Sequence, residues 1–211
     1  MHRSRRRSGL TCSSCAVVRS EFESFDRSDI TEVLERIDGM EDNGKVVAHV
    51  VRGAIAGALG TIAMDLLWFE RYTRSDGKAS FLAWETSAGL DSWTDAPAPA
   101  AVGQIIAKRI FHRDLAPTHA RTASNAMHWA TGIGWGMLYS VRGPNRLNSP
   151  IVAGALFGTM VWLQSYAVLG TLRLYKPIWQ YDARTLCKDL SAHLVYGATT
   201  GSTISILAGY R

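Results

Sequence analysis

The sequence predicts an all-α protein: a polytopic membrane protein with four transmembrane helices in a bundle and a long interfacial loop after the first helix. The first observation behind this prediction is that three long stretches lack Asp, Glu, Lys and Arg, namely 20 residues in 122–141, 26 in 147–172 and 21 in 190–210. A helix needs roughly 20 residues to cross a hydrocarbon layer about 30 Å thick. The second observation is that every predicted span contains two glycines four residues apart, a spacing typical of closely packed membrane helices.

We place the four spans at 46–69, 122–141, 150–172 and 190–210. The first span contains Arg52 and Asp65, which leave 12 uncharged residues between them. Both charges lie toward the ends of the span, where the Arg52 side chain can reach the headgroups and Asp65 lies near the other interface. The alternative is a buried helical bundle in a soluble protein, because the 47% hydrophobic content is ordinary for that class.

The N-terminal segment 1–39 is predicted to be a disordered or weakly helical extension of a membrane domain at 40–211. Residues 1–27 are rich in Ser and Arg, a composition typical of disorder. The next residues, "SDITEVLERIDG", have a capping Ser28 and a terminating Gly39, which predict one short amphipathic helix. The alternative is that the protein begins at Met40 and that 1–39 is an upstream extension.

The interfacial loop at 70–121 contains "TDAPAPAAVGQIIAKRIFHRD", which predicts a helix with Asp95 as its cap and Pro97 in an early position. Its apolar stripe is Val102, Ile105, Ile106 and Ile110. A basic amphipathic helix of this kind lies on a bilayer surface or packs against the helical body. The segment 97–113 is also where a protein partner can dock.

The net charge of +5 comes partly from "HRSRRRS" near the start of the chain. This basic cluster is short and has no interleaved aromatic residues, so we expect contact with anionic lipid or plain solvation, and no nucleic-acid partner. The lipid bilayer is therefore the main partner that the composition predicts.

The glycine pairs predict how the helices meet. Without a hydrophobic driving force between helices in lipid, close backbone approach at small residues supplies the packing. We expect these glycines to form the contact stripe of a tight bundle or of a dimer, and we expect the protein to self-associate. The eight residues are Gly53, Gly57, Gly132, Gly136, Gly154, Gly158, Gly197 and Gly201.

All four predicted spans carry a polar side chain in the same half of the membrane. These residues are Asp65, His128, Gln164 and His193, and Asp189 lies one helical turn before His193. Polar groups at this depth face a bundle interior or a wet cavity. Three interpretations stay open: hydrogen bonds that fix the helix register, a proton- or ion-handling site, and a metal or haem site that uses His128 and His193.

Motifs for known catalytic chemistry are absent, so we predict no catalytic residue and do not favour an enzyme. The pair "CSSC" at 12–15 has redox or zinc spacing but no second pair, and "TGIGWG" at 131–136 lies inside an uncharged span. No cofactor is predicted, and a haem or a divalent metal is the alternative. Cys187 stands alone.

Short motifs and the four-span layout give a family resemblance. The chain has "NAMHWATG" in span two, "GALFGTMVW" in span three and "HLVYG" in span four, and with these it resembles the YagU-like family of bacterial inner-membrane proteins over about 46–205. The resemblance implies a multi-pass protein of the bacterial plasma membrane and an association with acid tolerance. It implies no established mechanism.

The resulting functional hypothesis is a membrane protein that supports tolerance of acid or envelope stress by handling protons or ions at the polar cluster. The alternatives are a membrane-embedded haem or metal protein that uses His128 and His193, and a membrane scaffold that docks a partner.

Overall fold

The computed structural model describes residues 27–142 and 149–209, with side chains from Asn43 onward. These residues contain no strand, which confirms the predicted all-α class. Two short 3-10 turns, Pro117–His119 and Ile178–Gln180, precede the fourth and sixth helices. The α-helices are α1 (Arg27–Arg74), α2 (Phe81–Glu85), α3 (Ala98–Arg109), α4 (Ala120–Arg142), α5 (Pro150–Thr171) and α6 (Ala183–Ala208).

Helix α1 runs through the boundary that the sequence predicts for an N-terminal extension. It continues past Gly39, which was expected to end a short helix. A glycine inside a helix costs only about 1 kcal/mol relative to alanine, and no proline follows it to stop the helix. The described residues divide into two compact units between Val46 and Val47. The remainder of the predicted extension, 1–26, and its "CSSC" pair lie outside the described residues.

Two helices in the described part of the chain are long and apolar enough to cross a membrane. They are Asn43–Arg74 within α1 and Pro150–Thr171, which is α5, and they match the predicted spans 46–69 and 150–172. The other two predicted spans also form long helices, α4 and α6, but their composition is more polar. Length and composition therefore identify two candidate spans.

Two loop predictions differ from the structure at helix starts. Helix α6 begins at Ala183, seven residues before the predicted span, because the Asp182 carboxylate caps it and accepts a hydrogen bond from Thr185 N at 3.0 Å. Helix α3 begins without a side-chain cap. Asp95, the predicted cap, instead lies in a turn closed by the 3.3 Å hydrogen bond from Ala96 N to Trp93 O.

Helix α3 packs against α4 with its smallest residues. A Cβ atom on Gly103 would lie 3.0 Å from Met127 Cγ and 3.2 Å from Ala123 Cβ. Ala100 and Ala107, one turn to either side, are buried. The apolar stripe predicted to face lipid or the body is only half-buried, and Ile110 is exposed. Helix α3 therefore packs against the helical body, which is compatible with the predicted position at a bilayer surface.

The glycine pairs form the helix contacts. A Cβ on Gly53 would lie 2.6 Å from Gly136 O, and a Cβ on Gly57 would lie 2.6 Å from Gly132 O, so α1 and α4 are antiparallel neighbours. On the other side of the bundle, Gly154 and Gly158 of α5 contact Gly197 and Gly201 of α6 in the same antiparallel way. All eight glycines thus join helices within one chain.

Helix α6 connects the two glycine-packed pairs through Tyr196. This ring is 2% exposed, and its hydroxyl donates a 2.7 Å hydrogen bond to Gly132 O of α4. Gly60 of α1 packs against Tyr196, and Phe157 of α5 stacks on Tyr139 of α4 at a centroid distance of 4.3 Å. The core therefore lies where four helices meet around aromatic rings.

Replacement of Gly136 by alanine is expected to destabilise the protein by about 1–3 kcal/mol, the usual cost of overpacking. The new Cβ would lie 2.5 Å from Gly57 Cα, a backbone atom that cannot move aside. Gly134→Ala is the matched control, since nothing lies within 4 Å of its Cβ; it should be neutral or stabilise by up to about 1 kcal/mol. Thermal unfolding in detergent, followed by tryptophan fluorescence, measures both. Equal effects of the two variants would contradict the glycine packing.

Candidate functional site

The polar residues predicted from the sequence all border one cavity. It has a volume of about 350 Å³ and lies between the C-terminal ends of α1 and α5 and the N-terminal ends of α4 and α6. Its floor is formed by Thr61, Gly132, Val161 and Tyr196, and Trp68 and Tyr175 are among its aromatic walls. The predicted residues on its wall are Asp65, His128, Gln164, Asp189 and His193.

Asp65 and His128 form a direct pair between α1 and α4. His128 Nε2 lies 2.9 Å from Asp65 Oδ2 and 3.1 Å from Oδ1. It donates a hydrogen bond to the carboxylate. Asp65 is 4% exposed. A carboxylate this deeply buried needs a partner, because an isolated charge in a protein interior is very costly. This pair is the closest contact between ionisable side chains on different helices in the described residues.

His193 and Asp189 form a second pair within α6. His193 Nδ1 donates to the Asp189 carbonyl oxygen at 2.9 Å and lies 3.6 Å from its carboxylate oxygen Oδ1. No hydrogen bond joins His193 to His128 among the residues described. The predicted cluster is therefore two separate pairs that border one cavity, which Gln164 of α5 also lines.

Glu85 belongs to the site, although the sequence analysis did not include it. It is the last residue of α2, and donor atoms of Asp65, Glu85 and His128 all lie within 4.8 Å of one another. Its Oε1 atom is buried and has no hydrogen-bond partner. Glu85 lies in the loop predicted to be interfacial, so no depth argument could place it. The sequence feature that could have identified Glu85 is its position as the lone carboxylate in the apolar stretch "FLAWETSAGL".

Polar contacts to the residue after Glu85 hold α2 against α4. Arg121 donates from Nε to Thr86 O at 2.8 Å and from Nη2 to Thr86 Oγ1 at 2.9 Å, and Asn125 Nδ2 donates to Thr86 O at 3.0 Å. The other end of α2 packs into an aromatic cluster in which Phe81 lies edge-on to Phe69 at 5.2 Å. Both ends of this short helix are therefore fixed, and Glu85 is directed at the Asp65–His128 pair.

A second cavity of about 340 Å³ lies on the α2 side of the pair. Glu85, Ser124 and Asn125 border it, and it shares Asp65, Pro99 and His128 with the first cavity. The Asp65–His128 pair therefore separates two spaces, one under the loop and one inside the bundle.

The charge at the site is unbalanced. Among the ion pairs of the described residues, neither Asp65 nor Glu85 has a Lys or Arg partner. Burial, and then the neighbouring charge of Asp65, raise the pKa of Glu85 above its ordinary value of 4.5. The site holds two carboxylates and one imidazole, which favours the binding of a positive charge.

The donor set is suited to a small cation. One imidazole nitrogen and two carboxylates are ligands that divalent transition metals accept. The metal-ligating cluster found among the described residues includes His128 and not His193, and the haem or metal site that uses both histidines stays a prediction.

Comparisons with known proteins give no match for this chain, whether to a family model, to a curated protein or to a solved structure. The fold and the geometry of the site therefore carry the functional argument.

Glu85→Gln is expected to stabilise the folded protein at neutral pH and to have little effect at acid pH. Because the folded state raises the pKa of Glu85, it binds this proton more tightly than the unfolded state does. The stabilisation of the folded state by protonated Glu85 is therefore fully present below pH 4.5, the ordinary pKa of a glutamate. It is lost as the pH rises through the folded-state pKa. Thermal unfolding in detergent with a chelator, compared at about pH 4 and about pH 8, measures this.

The control for this prediction is Glu70→Gln, whose side chain is 50% exposed on α1. It should show no comparable gain at the higher pH. A Glu85→Gln protein that is less stable than the wild type at the higher pH would show that the charged carboxylate is favoured in this position.

Proposed function

We propose that the chain is a multi-pass membrane protein of the bacterial plasma membrane that takes a cation, a proton or a metal ion, from its loop side into the Asp65–His128 site. The observation that carries the proposal is a carboxylate 4% exposed, bonded to a histidine, between two cavities. A negative site of this kind at membrane depth marks an ion pathway or a binding site in membrane proteins.

Exposed apolar faces on α1 and α5 support membrane insertion. Large apolar residues recur every three or four positions on each helix, each between 38% and 61% exposed, which is a continuous stripe along one helix face. Stripes of this length are rare on soluble proteins and match a lipid-facing surface. On α1 they are Val47, Val51, Ile55, Leu59, Ile62 and Leu66, and on α5 Val152, Leu156, Met160 and Leu163.

The more polar helices α4 and α6 also suit a bilayer, because three of their polar residues are buried inside the bundle. Ser124, Ser140 and Thr200 are between 0% and 5% exposed. The exposed positions Ala126, Ala130, Gly134, Leu138 and Val141 give α4 an uncharged outer face. Between 189 and 205, α6 has no exposed residue. These features support four spans although composition identifies two.

The four-span arrangement places all features of the site at one membrane face. Loops 75–119 and 172–182 would lie on this face, and the glycine-packed halves of the helices would close the bundle below the cavity. Aromatic residues such as Trp68 and Trp84 lie at this end, which is typical of a membrane–water interface. A cation would therefore reach the pair from the loop side.

The resemblance to the YagU-like family supports a role in tolerance of acid or envelope stress. A cation site whose ligands also bind protons would respond to acidification, because protons and metal ions compete for the same oxygen and nitrogen atoms. This links the site to the physiology that the resemblance implies.

The proposal predicts that the bound cation stabilises the wild-type protein and not Asp65→Asn. Binding to the folded state alone adds about 2.7 kcal/mol at a ligand concentration of about 100 times the Kd. Thermal unfolding of nanodisc-embedded protein is compared on acidification and with Na⁺, K⁺, Mg²⁺, Ca²⁺, Mn²⁺ or Zn²⁺ in turn. The exposed Asp91→Asn is the matched control and should respond as the wild type does. Identical responses of Asp65→Asn and wild type to every cation and to acid would refute the proposal.

A further inference from the structure

We infer that Asp65, Glu85 and His128 form a binding site for a divalent transition-metal ion, with Glu85 as the third ligand. The inference rests on the proposed function, since it names the class of cation that the Asp65–His128 pair receives. Three different elements, α1, α2 and α4, each supply one ligand.

The donor atoms are close enough to surround one ion. They lie within 4.8 Å of one another, and His128 Nε2 lies 2.9 Å from Asp65 Oδ2. An ion that binds Nε2 displaces the proton of this hydrogen bond. Zinc–ligand bonds of about 2.0–2.2 Å place the donor atoms of a tetrahedral site roughly 3.3–3.6 Å apart. The Glu85 side chain has three rotatable bonds, so a small rotation brings its carboxylate into range.

The charge of the site favours a divalent cation. Two carboxylates and a neutral imidazole carry a charge of −2, which one divalent ion balances. No Lys or Arg among the described residues pairs with either carboxylate. The nearest arginines are committed elsewhere: Arg121 donates to Thr86, and Arg71 donates to Lys188 O and Ser191 Oγ.

The Glu85 carboxyl group is half-buried and has Trp129 and Asp65 as hydrogen-bonding neighbours, but its Oε1 atom is buried without a hydrogen-bond partner. A buried carboxylate oxygen without a hydrogen bond loses its hydration and gains nothing in return. Arg121 and Asn125 donate hydrogen bonds to Thr86 O and so hold α2 in place. The helix therefore cannot move to expose this oxygen to water. A metal ion bound at the pair would satisfy Oε1 after a small rotation of the Glu85 side chain.

The ligand types define the class of ion. Mg²⁺ and Ca²⁺ favour oxygen ligands alone, whereas one imidazole with two carboxylates suits Zn²⁺ or Mn²⁺. Three protein ligands leave at least one coordination position for water or a second ligand. Cavities of about 350 and 340 Å³ on either side of the pair provide the space for it, so this is an open site.

The test is a calorimetric titration of Zn²⁺ and of Mn²⁺ into chelator-stripped, full-length protein in nanodiscs, purified with a tag that contains no histidine. We expect about one ion per chain, an affinity that falls at acid pH, and no comparable binding of Mg²⁺. Glu85→Gln should weaken the binding at least about tenfold. Glu85 lies on a surface helix that other residues hold, so this variant tests the ligand without threatening the fold. Glu70→Gln should bind as the wild type does.

Each other outcome overturns the inference in a distinct way. Wild-type affinity in Glu85→Gln, or no saturable binding of either metal, removes the site. Loss of binding in His193→Gln together with unchanged binding in Glu85→Gln would place the ion between the two histidines. If acid or a monovalent cation still stabilises the wild type through Asp65, the proposed function stands without the metal; if Asp65→Asn responds to everything as the wild type does, both fail.

Discussion

The burial of the Asp65 carboxylate is the constraint on which the arrangement of this protein depends. A charge that is 4% exposed is stable only with a partner within hydrogen-bonding distance, and His128 supplies it at 2.9 Å from the neighbouring helix. α1 and α4 must therefore lie close together at this depth. The loop that follows α1 must also return over the pair, because Glu85 and the short helix α2 cover it from the loop side.

Glycine makes that close approach possible. Gly57 and Gly132 contact each other about one to two helical turns below the pair, and Gly53 and Gly136 repeat the contact one turn further on. At each pair the backbones of the two helices are in direct contact. The distance between the helices is therefore fixed, because no side chain lies between them. Tyr196 then ties α6 to the same level through its hydrogen bond to Gly132 O. The packing and the site are thus two parts of one contact between helices.

Much of this arrangement follows from residue types and their spacing. The glycine pairs indicated which helix faces meet, and a count of depth along each span placed Asp65, His128, Gln164 and His193 on one cavity. The sequence does not predict that the loop after α1 folds back over the Asp65–His128 pair. Glu85 reaches the site because Arg121 and Asn125 hold the residue after it, and these contacts join positions 35 and 39 residues apart. Periodicity within a helix carries no information about such pairings.

Hydropathy has a similar limit. It identifies α1 and α5, which carry exposed apolar residues, and it does not register that some polar residues of α4 and α6 are buried. The buried Ser140 and Thr200 lower the average of their helices without being exposed to a bilayer. Only the packing shows on which side of the helix these hydroxyls lie.

The central claim is that all four helices cross the membrane, so that the Asp65–His128 pair lies within the bilayer at one face. The most direct measurement compares the labelling of Cys187 with that of a cysteine at Asp91→Cys by an impermeant maleimide, each as the single cysteine of its variant, in intact cells and in inverted vesicles. Both positions are exposed. Four spans predict that both react from the same side. If only α1 and α5 cross, the two positions lie on opposite sides, and that result would contradict the account.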